Sequence, residues 1–211
     1  MKPRFFQKTV LAALAIAVFA PLSAFGQGTG RNTGMADSRN TLKKISEYQN
    51  PSTSSAMKTL VAYFSATGTT RAIAVKLAAV TGGTLYEIRP ETAYTDDDLN
   101  WRNRKSRSSV EMANPASRPA FVADLEEAGS YDRIFIGFPV WWYTAPTIIN
   151  TFLETYDFSG KTVIFFATSG GSNIKKACAD FRKQYPALNW KEGALLNRAS
   201  EKEIRKWVEG L

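Results

Sequence analysis

The 211-residue chain contains no histidine and one cysteine, Cys178. The first absence excludes His-based triads, imidazole acid–base catalysis and His-containing zinc sites. The second excludes an intrachain disulfide, so an exported form of this chain must be held by its core alone. Cys178 falls in the helical pattern Ile174 to Gln184, where a small buried hydrophobe is expected rather than a reactive thiol. No run of basic residues occurs. The net charge of +8 drops to +5 once Lys2, Arg4 and Lys8 of the first segment are set aside, and the rest is interspersed. That excludes the basic face with aromatic platforms expected of a nucleic-acid binder. The stretch Arg102, Arg104, Lys105, Arg107 is read as a solvated face.

Long apolar runs are also missing, with one exception. Val10 to Ala20 follows a basic start and precedes Ala24-Phe25-Gly26, which places small residues at the −3 and −1 positions of a cut after Gly26. Residues 1–26 therefore read as a secretory signal, too short in its apolar core for a comfortable membrane span. Pro3 stands where a twin-arginine signal needs its first arginine, and no cysteine near the cut offers a lipid anchor. The expectation is export to the periplasm with no stable membrane span after the signal is removed. Residues 27–57 are rich in Gly, Ser, Thr, Asn and Gln and read as a linker, with a weak helical patch at Leu42 to Tyr48.

What remains, 58–211, has 44% apolar composition chain-wide to build a core from. The stretch around which it is organised is Thr59 to Arg71. An apolar run, Leu60 to Phe64, suits a buried strand; Ser65-Ala66-Thr67-Gly68-Thr69-Thr70 follows, and a helical pattern opens near Thr69 and runs to Val80. Strand, hydroxyl-rich turn and helix N-terminus make an anion site, because the first-turn N–H groups are free and the helix dipole favours negative charge. The turn lacks the Gly-Lys-Ser/Thr ending of a nucleoside-triphosphate loop. Ser65 and Arg71 have the spacing of a phosphatase Cys-x5-Arg loop, but a serine without a base is no thiolate. The acidic residues that a receiver domain needs after its first strand are replaced by Ser65.

Strand and helix then alternate. Strands are expected at Thr84 to Ile88, Arg133 to Phe138, Thr162 to Ala167 and, more weakly, Trp190 to Leu195. Helices are expected at Asp98 to Val110, Pro119 to Glu127, after Pro146, from Ile174 to Tyr185, and at Glu201 to Val208. Buried strands alternating with helices predict a doubly wound five-stranded parallel α/β sheet with helices on both faces. Strand-to-helix loops then share the carboxyl edge of the sheet, where such folds bind ligands. Three of those loops are unusual: Ser65 to Thr70 in hydroxyls, Pro139-Val140-Trp141-Trp142-Tyr143 in aromatics, and Thr168-Ser169-Gly170-Gly171-Ser172 in glycine. Together they suit a planar heteroaromatic ligand with a phosphorylated tail. One tryptophan of the pair is expected to stack on the ligand and the other to pack inward.

Those three motifs, with Phe158-Ser159-Gly160-Lys161 before the fourth long strand, make Thr59 to Leu211 resemble the flavodoxin-like family, specifically its short bacterial FMN-binding domains. The resemblance implies strand order 2-1-3-4-5 and flavin mononucleotide (FMN) as cofactor. It also implies that Ser65, Thr67, Gly68, Thr69 and Thr70 bind the phosphate. Pro139, Val140, Trp141, Trp142 and Tyr143, with Thr168, Ser169, Gly170, Gly171 and Ser172, would flank the isoalloxazine ring. Electron-carrying flavodoxins often have a glycine in the loop after the third strand, where a peptide turns over against the flavin. Pro139 to Tyr143 has none, and placing another residue at positive φ costs roughly 1–2 kcal/mol. More two-electron character is therefore expected. Apolar surroundings without a nearby cation are expected to lower the flavin potential. The expected function is electron transfer to an unidentified redox partner protein, with reduction of a quinone or similar small acceptor as the alternative.

Overall fold

The computed structural model describes residues 57–211. The expected signal at 1–26, the helical patch at 42–48 and all of the linker but Met57 lie outside the described residues. From Lys58 the order is β1 (Thr59–Tyr63), α1 (Thr69–Thr81), β2 (Thr84–Glu87), α2 (Arg107–Ala113), β3 (Arg133–Pro139), α3 (Ile148–Thr155), β4 (Thr162–Thr168), α4 (Lys175–Gln184), β5 (Asn189–Trp190), β6 (Ala194–Leu195) and α5 (Glu201–Glu209). All pairings within the sheet are parallel, and the order is β2-β1-β3-β4-β5, with β6 also on β4. The alternation of elements predicts such a parallel α/β sheet, and the strand order is the one that the flavodoxin-like resemblance implies.

Period-two alternation decides which side chain goes to which face. Leu60, Ala62, Phe64, Ile134, Ile136, Phe138, Val163 and Phe165 point into one core, with Ile149 and Phe152 of α3 and Phe181 of α4. Val61, Tyr63, Phe135, Ile164 and Phe166 point into the other, with Ile73 and Leu77 of α1 and Ile204 of α5. Both faces of the central strands are covered, which is why β1, β3 and β4 carry continuous apolar runs while β2, at the edge, leaves Thr84 and Leu85 exposed. Gly137 is required by packing: a Cβ there would lie 2.1 Å from the ring of Phe166, its neighbour on β4.

The long segment between β2 and β3 departs from expectation. No helix spans Asp98 to Val110; α2 begins only at Arg107. Asn100 and Asn103 accept from the N–H groups of Arg102 and Lys105, and such local bonds replace helical ones. Ser106 then caps α2 by accepting from Ser109 N. Pro119 to Glu127 is not helical either. Phe121 is bridged to Pro90 and buried, and a short 3-10 turn forms only at Ala128–Ser130. The fifth strand is split into β5 and β6. Gly193 lies between them, packed so closely that a Cβ would fall 2.6 Å from Phe165 O.

Candidate functional site

The loop after β1 is a row of unused donors. From Ser65 to Arg71 no backbone N–H donates to an acceptor among the described residues; the first to do so is Ala72, to Gly68 O at 3.1 Å. Gly68 makes the turn possible. It precedes α1 at φ 85, a conformation that costs other residues strain, and it leaves the helix without a side-chain cap. Ser65 Oγ is buried and has no hydrogen-bond partner among the described residues. An unpartnered buried hydroxyl costs about 1–3 kcal/mol unless something bonds to it. Free N–H groups, a helix N-terminus without first-turn acidic residues and an orphaned hydroxyl fit a phosphate.

Thr67 and Thr69 are exposed in this loop and line a cavity of about 700 Å³ together with Pro139, Val140, Trp141, Thr168, Ser169 and Gly170. The three loops singled out by sequence thus share one cavity. Thr70 is placed differently: it is 1% exposed, and its Oγ1 lies 2.8 Å from Thr168 Oγ1. It ties the first loop to the third. In the third loop Ser169 Oγ accepts from Gly171 N and Ser172 N, at 3.1 and 2.8 Å. Those two donors are consumed locally, whereas Gly170 N has no acceptor among the described residues. A Cβ at Gly170 would meet nothing within 4 Å, so this backbone is open where it lines the cavity.

The two tryptophans divide. Trp141 packs on the core, edge-to-face with Phe64 at 5.6 Å and Tyr94 at 5.5 Å, and also lines the cavity. Behind it, Arg107 lies 3.9 Å over the Tyr94 ring and donates to Glu111 at 2.7 Å. The Tyr94 hydroxyl donates to the same carboxylate at 2.5 Å. Burial, then the Glu111 carboxylate, raise the Tyr94 pKa well above the usual phenol range, so it stays protonated as the donor. The segment before β3 is therefore a buttress for Trp141.

Trp142 and Tyr143 do not line this cavity. They form the tip of a two-residue hairpin turn in which Trp141 N donates to Thr144 O at 3.0 Å and Thr144 N to Trp141 O at 2.9 Å. Their φ values are 45 and 67, as a type I′ turn requires but bulky side chains resist. The cost of positive φ is thus already part of the resting fold. The expectation of two-electron character, which rested on charging that cost to a later peptide flip, loses its premise.

Two cavity residues escaped sequence analysis. Asn197 and Arg198, in the loop between β6 and α5, line it together with the other three loops. Asn197 Oδ1 accepts from Ser169 N at 2.7 Å. Arg198 is exposed and forms no ion pair among the described residues. The expected absence of a cation near the ligand is thereby corrected. The usable signal was positional: this is another strand-to-helix loop at the same sheet edge. Cys178 is half-buried against the core, with burial pushing its thiol pKa up, as suits an inert packing residue. Among the described residues no helix is long and apolar enough to cross a membrane, and no cluster of ligating side chains could hold a metal ion.

A search of curated protein sequences finds no match. Among solved structures, a protein from Bacteroides eggerthii described as a flavoprotein is 57% identical, covering 72% of this chain and 96% of its own, with a TM-score of 0.71. One from Bacteroides uniformis, similarly described, is 53% identical over 72% of this chain and 97% of its own, at TM-score 0.70. A flavoprotein from Lactobacillus acidophilus, solved in complex with FMN, is 27% identical over 72% and 99%, at TM-score 0.60. The flavodoxin family model matches residues 58–211. The chain belongs to the flavodoxin family.

Proposed function

We propose that this protein is an exported, periplasmic FMN-carrying electron-transfer protein that passes electrons to a redox partner protein. The cofactor is FMN, as the family and the FMN-bound relative support. The observation that carries the reading is the run of free N–H groups from Ser65 to Arg71 ending on α1, with the orphaned Ser65 Oγ beside it. Ser65, Thr67, Gly68 and Thr69 would hold the phosphate, with Thr70 fixing the loop through Thr168. Pro139 to Trp141 and Thr168 to Gly170 would flank the ring, with Arg198 supplying positive charge at the rim.

When bound, FMN stores and releases electrons; the protein positions it and sets the electrostatics around it. Trp141, buttressed by Phe64 and Tyr94, excludes water from one side of the cavity. Purification from the cell envelope tests the reading. The expected product is yellow, has an N-terminus at Gln27 and releases a flavin containing one phosphate. NADPH alone should not reduce it, since a carrier needs its protein partner. A colourless protein that also fails to bind added FMN would sink the proposal.

A further inference from the structure

Asn197 lies in the loop between β6 and α5 and lines the cavity with Arg198. That loop is pinned on both sides of it. Leu196 N donates to Ala167 O at 2.9 Å and Ala199 N to Leu196 O at 2.7 Å, while Lys76 Nζ of α1 donates to Ala199 O at 3.1 Å. From this fixed base Asn197 Oδ1 accepts from Ser169 N at 2.7 Å. We propose that Asn197 is a ligand-contacting residue of the cavity with two roles: its carboxamide oxygen holds the loop after β4 in place, and its carboxamide nitrogen donates to an uncharged carbonyl or hydroxyl oxygen of the ligand.

The amide has one possible orientation. A backbone N–H only donates, so the atom facing Ser169 N must be the oxygen, and the nitrogen is left with two donor hydrogens. Neither has an acceptor among the described residues, and the side chain that carries them lines the cavity. Donors left open in a site select ligands that bring an acceptor to them. The bond to Ser169 also reaches beyond that residue. Ser169 Oγ accepts from Gly171 N and Ser172 N, so three of the four N–H groups from Ser169 to Ser172 are consumed by two side chains. Gly170 N is left over, in a stretch where an added Cβ would meet nothing within 4 Å. Asn197 thereby fixes the loop that carries this free donor and supplies donors of its own. The choice of an uncharged oxygen follows from which loop it holds. The row of free N–H groups suited to a phosphate lies after β1, from Ser65 to Arg71, whereas Asn197 is bonded to the loop after β4.

The proposal rests on the FMN reading for the identity of the ligand, and its test uses FMN and riboflavin, which lacks the phosphate. Fluorescence titration of the full chain is combined with amide hydrogen exchange of the same chain free of ligand. Asn197→Ala is expected to weaken binding of both flavins about tenfold and to speed exchange at Ser169 N about tenfold. Asn197→Asp keeps an oxygen for Ser169 N and brings no donor at neutral pH. Exchange at Ser169 N is therefore expected to stay as slow as in the parent, while both flavins bind about tenfold more weakly. A purely structural tie would not produce that split. Three results overturn the proposal: Asn197→Asp binding riboflavin like the parent, a loss confined to FMN, or Ser169 exchange unchanged in Asn197→Ala. A parent chain that binds both flavins, with variants that bind them equally well, fails this inference alone. A parent chain that binds neither flavin fails the FMN reading, and this contact with it.

Discussion

Thr70 Oγ1 and Thr168 Oγ1 lie 2.8 Å apart, buried, and this contact couples the start of α1 to the end of β4 across the β1 and β3 strands. Removing either hydroxyl leaves the other buried without its partner. Thr70→Val and Thr168→Val are each expected to cost about 1–3 kcal/mol in urea unfolding, and the double variant less than their sum. Only Thr168 lines the cavity, so FMN titration is expected to show the larger affinity loss for Thr168→Val.

Ser65→Ala should move stability and binding in opposite directions. The FMN-free protein loses an unsatisfied buried hydroxyl and is expected to gain up to about 1 kcal/mol in thermal or urea unfolding. FMN affinity is expected to fall about tenfold, because a bond to a charged phosphate is lost. Riboflavin affinity, measured by the same fluorescence titration, is expected to stay unchanged. A uniform loss for both ligands would place Ser65 elsewhere in the site.

Arg198 lines the cavity proposed to hold FMN and brings a cation to it. Arg198→Ala is expected to reduce FMN affinity a few-fold and to make that affinity less sensitive to added salt, because a screened attraction has been removed. Titrations at low and high sodium chloride read both effects.

Tyr143 is held at φ 67 while 66% exposed. Tyr143→Gly relieves a strain of roughly 1–2 kcal/mol and incurs roughly 0.5–1 kcal/mol of added chain entropy. The urea midpoint is expected to rise slightly with no change in slope. A lower midpoint would mean that the side chain contributes more packing than its exposure suggests.

Glu154 accepts from Arg118 Nε and Nη2 at 2.7 and 2.9 Å and from the Tyr185 hydroxyl at 2.7 Å. Hydrogen bonding to Arg118 is the main cause of a carboxyl pKa below its ordinary 4.5. A depressed folded-state value gives stability that is present above 4.5 and lost as pH falls through the folded value. Glu154→Gln is therefore expected to lower stability at neutral pH and to flatten its decline in acid. Unfolding curves across that range measure it; an unchanged acid limb would show that this half-exposed pair contributes nothing.

The sequence by itself determined the sheet and the location of the site. Alternation within Leu60 to Phe64, Ile134 to Phe138 and Val163 to Ala167 assigns each side chain to a face, and that information is local because the strand period is local. The loop of free donors after β1 was legible for the same reason: a glycine at the turn and a helix start are neighbours in the chain. Tertiary structure decided what the loops do to one another. Thr70 turns to Thr168, and Trp141 turns to Tyr94 and Phe64, because those partners are brought up by other strands and by the segment before β3. The same segment lost its expected helix to the Asn100 and Asn103 side chains, whose short bonds compete with helical ones. Asn197 and Arg198 carry no motif, and only the closing of β6 against β4 sets them at the cavity. Periodicity is written along the chain; the surroundings of a side chain are set by segments far from it in sequence, and only folding brings those together.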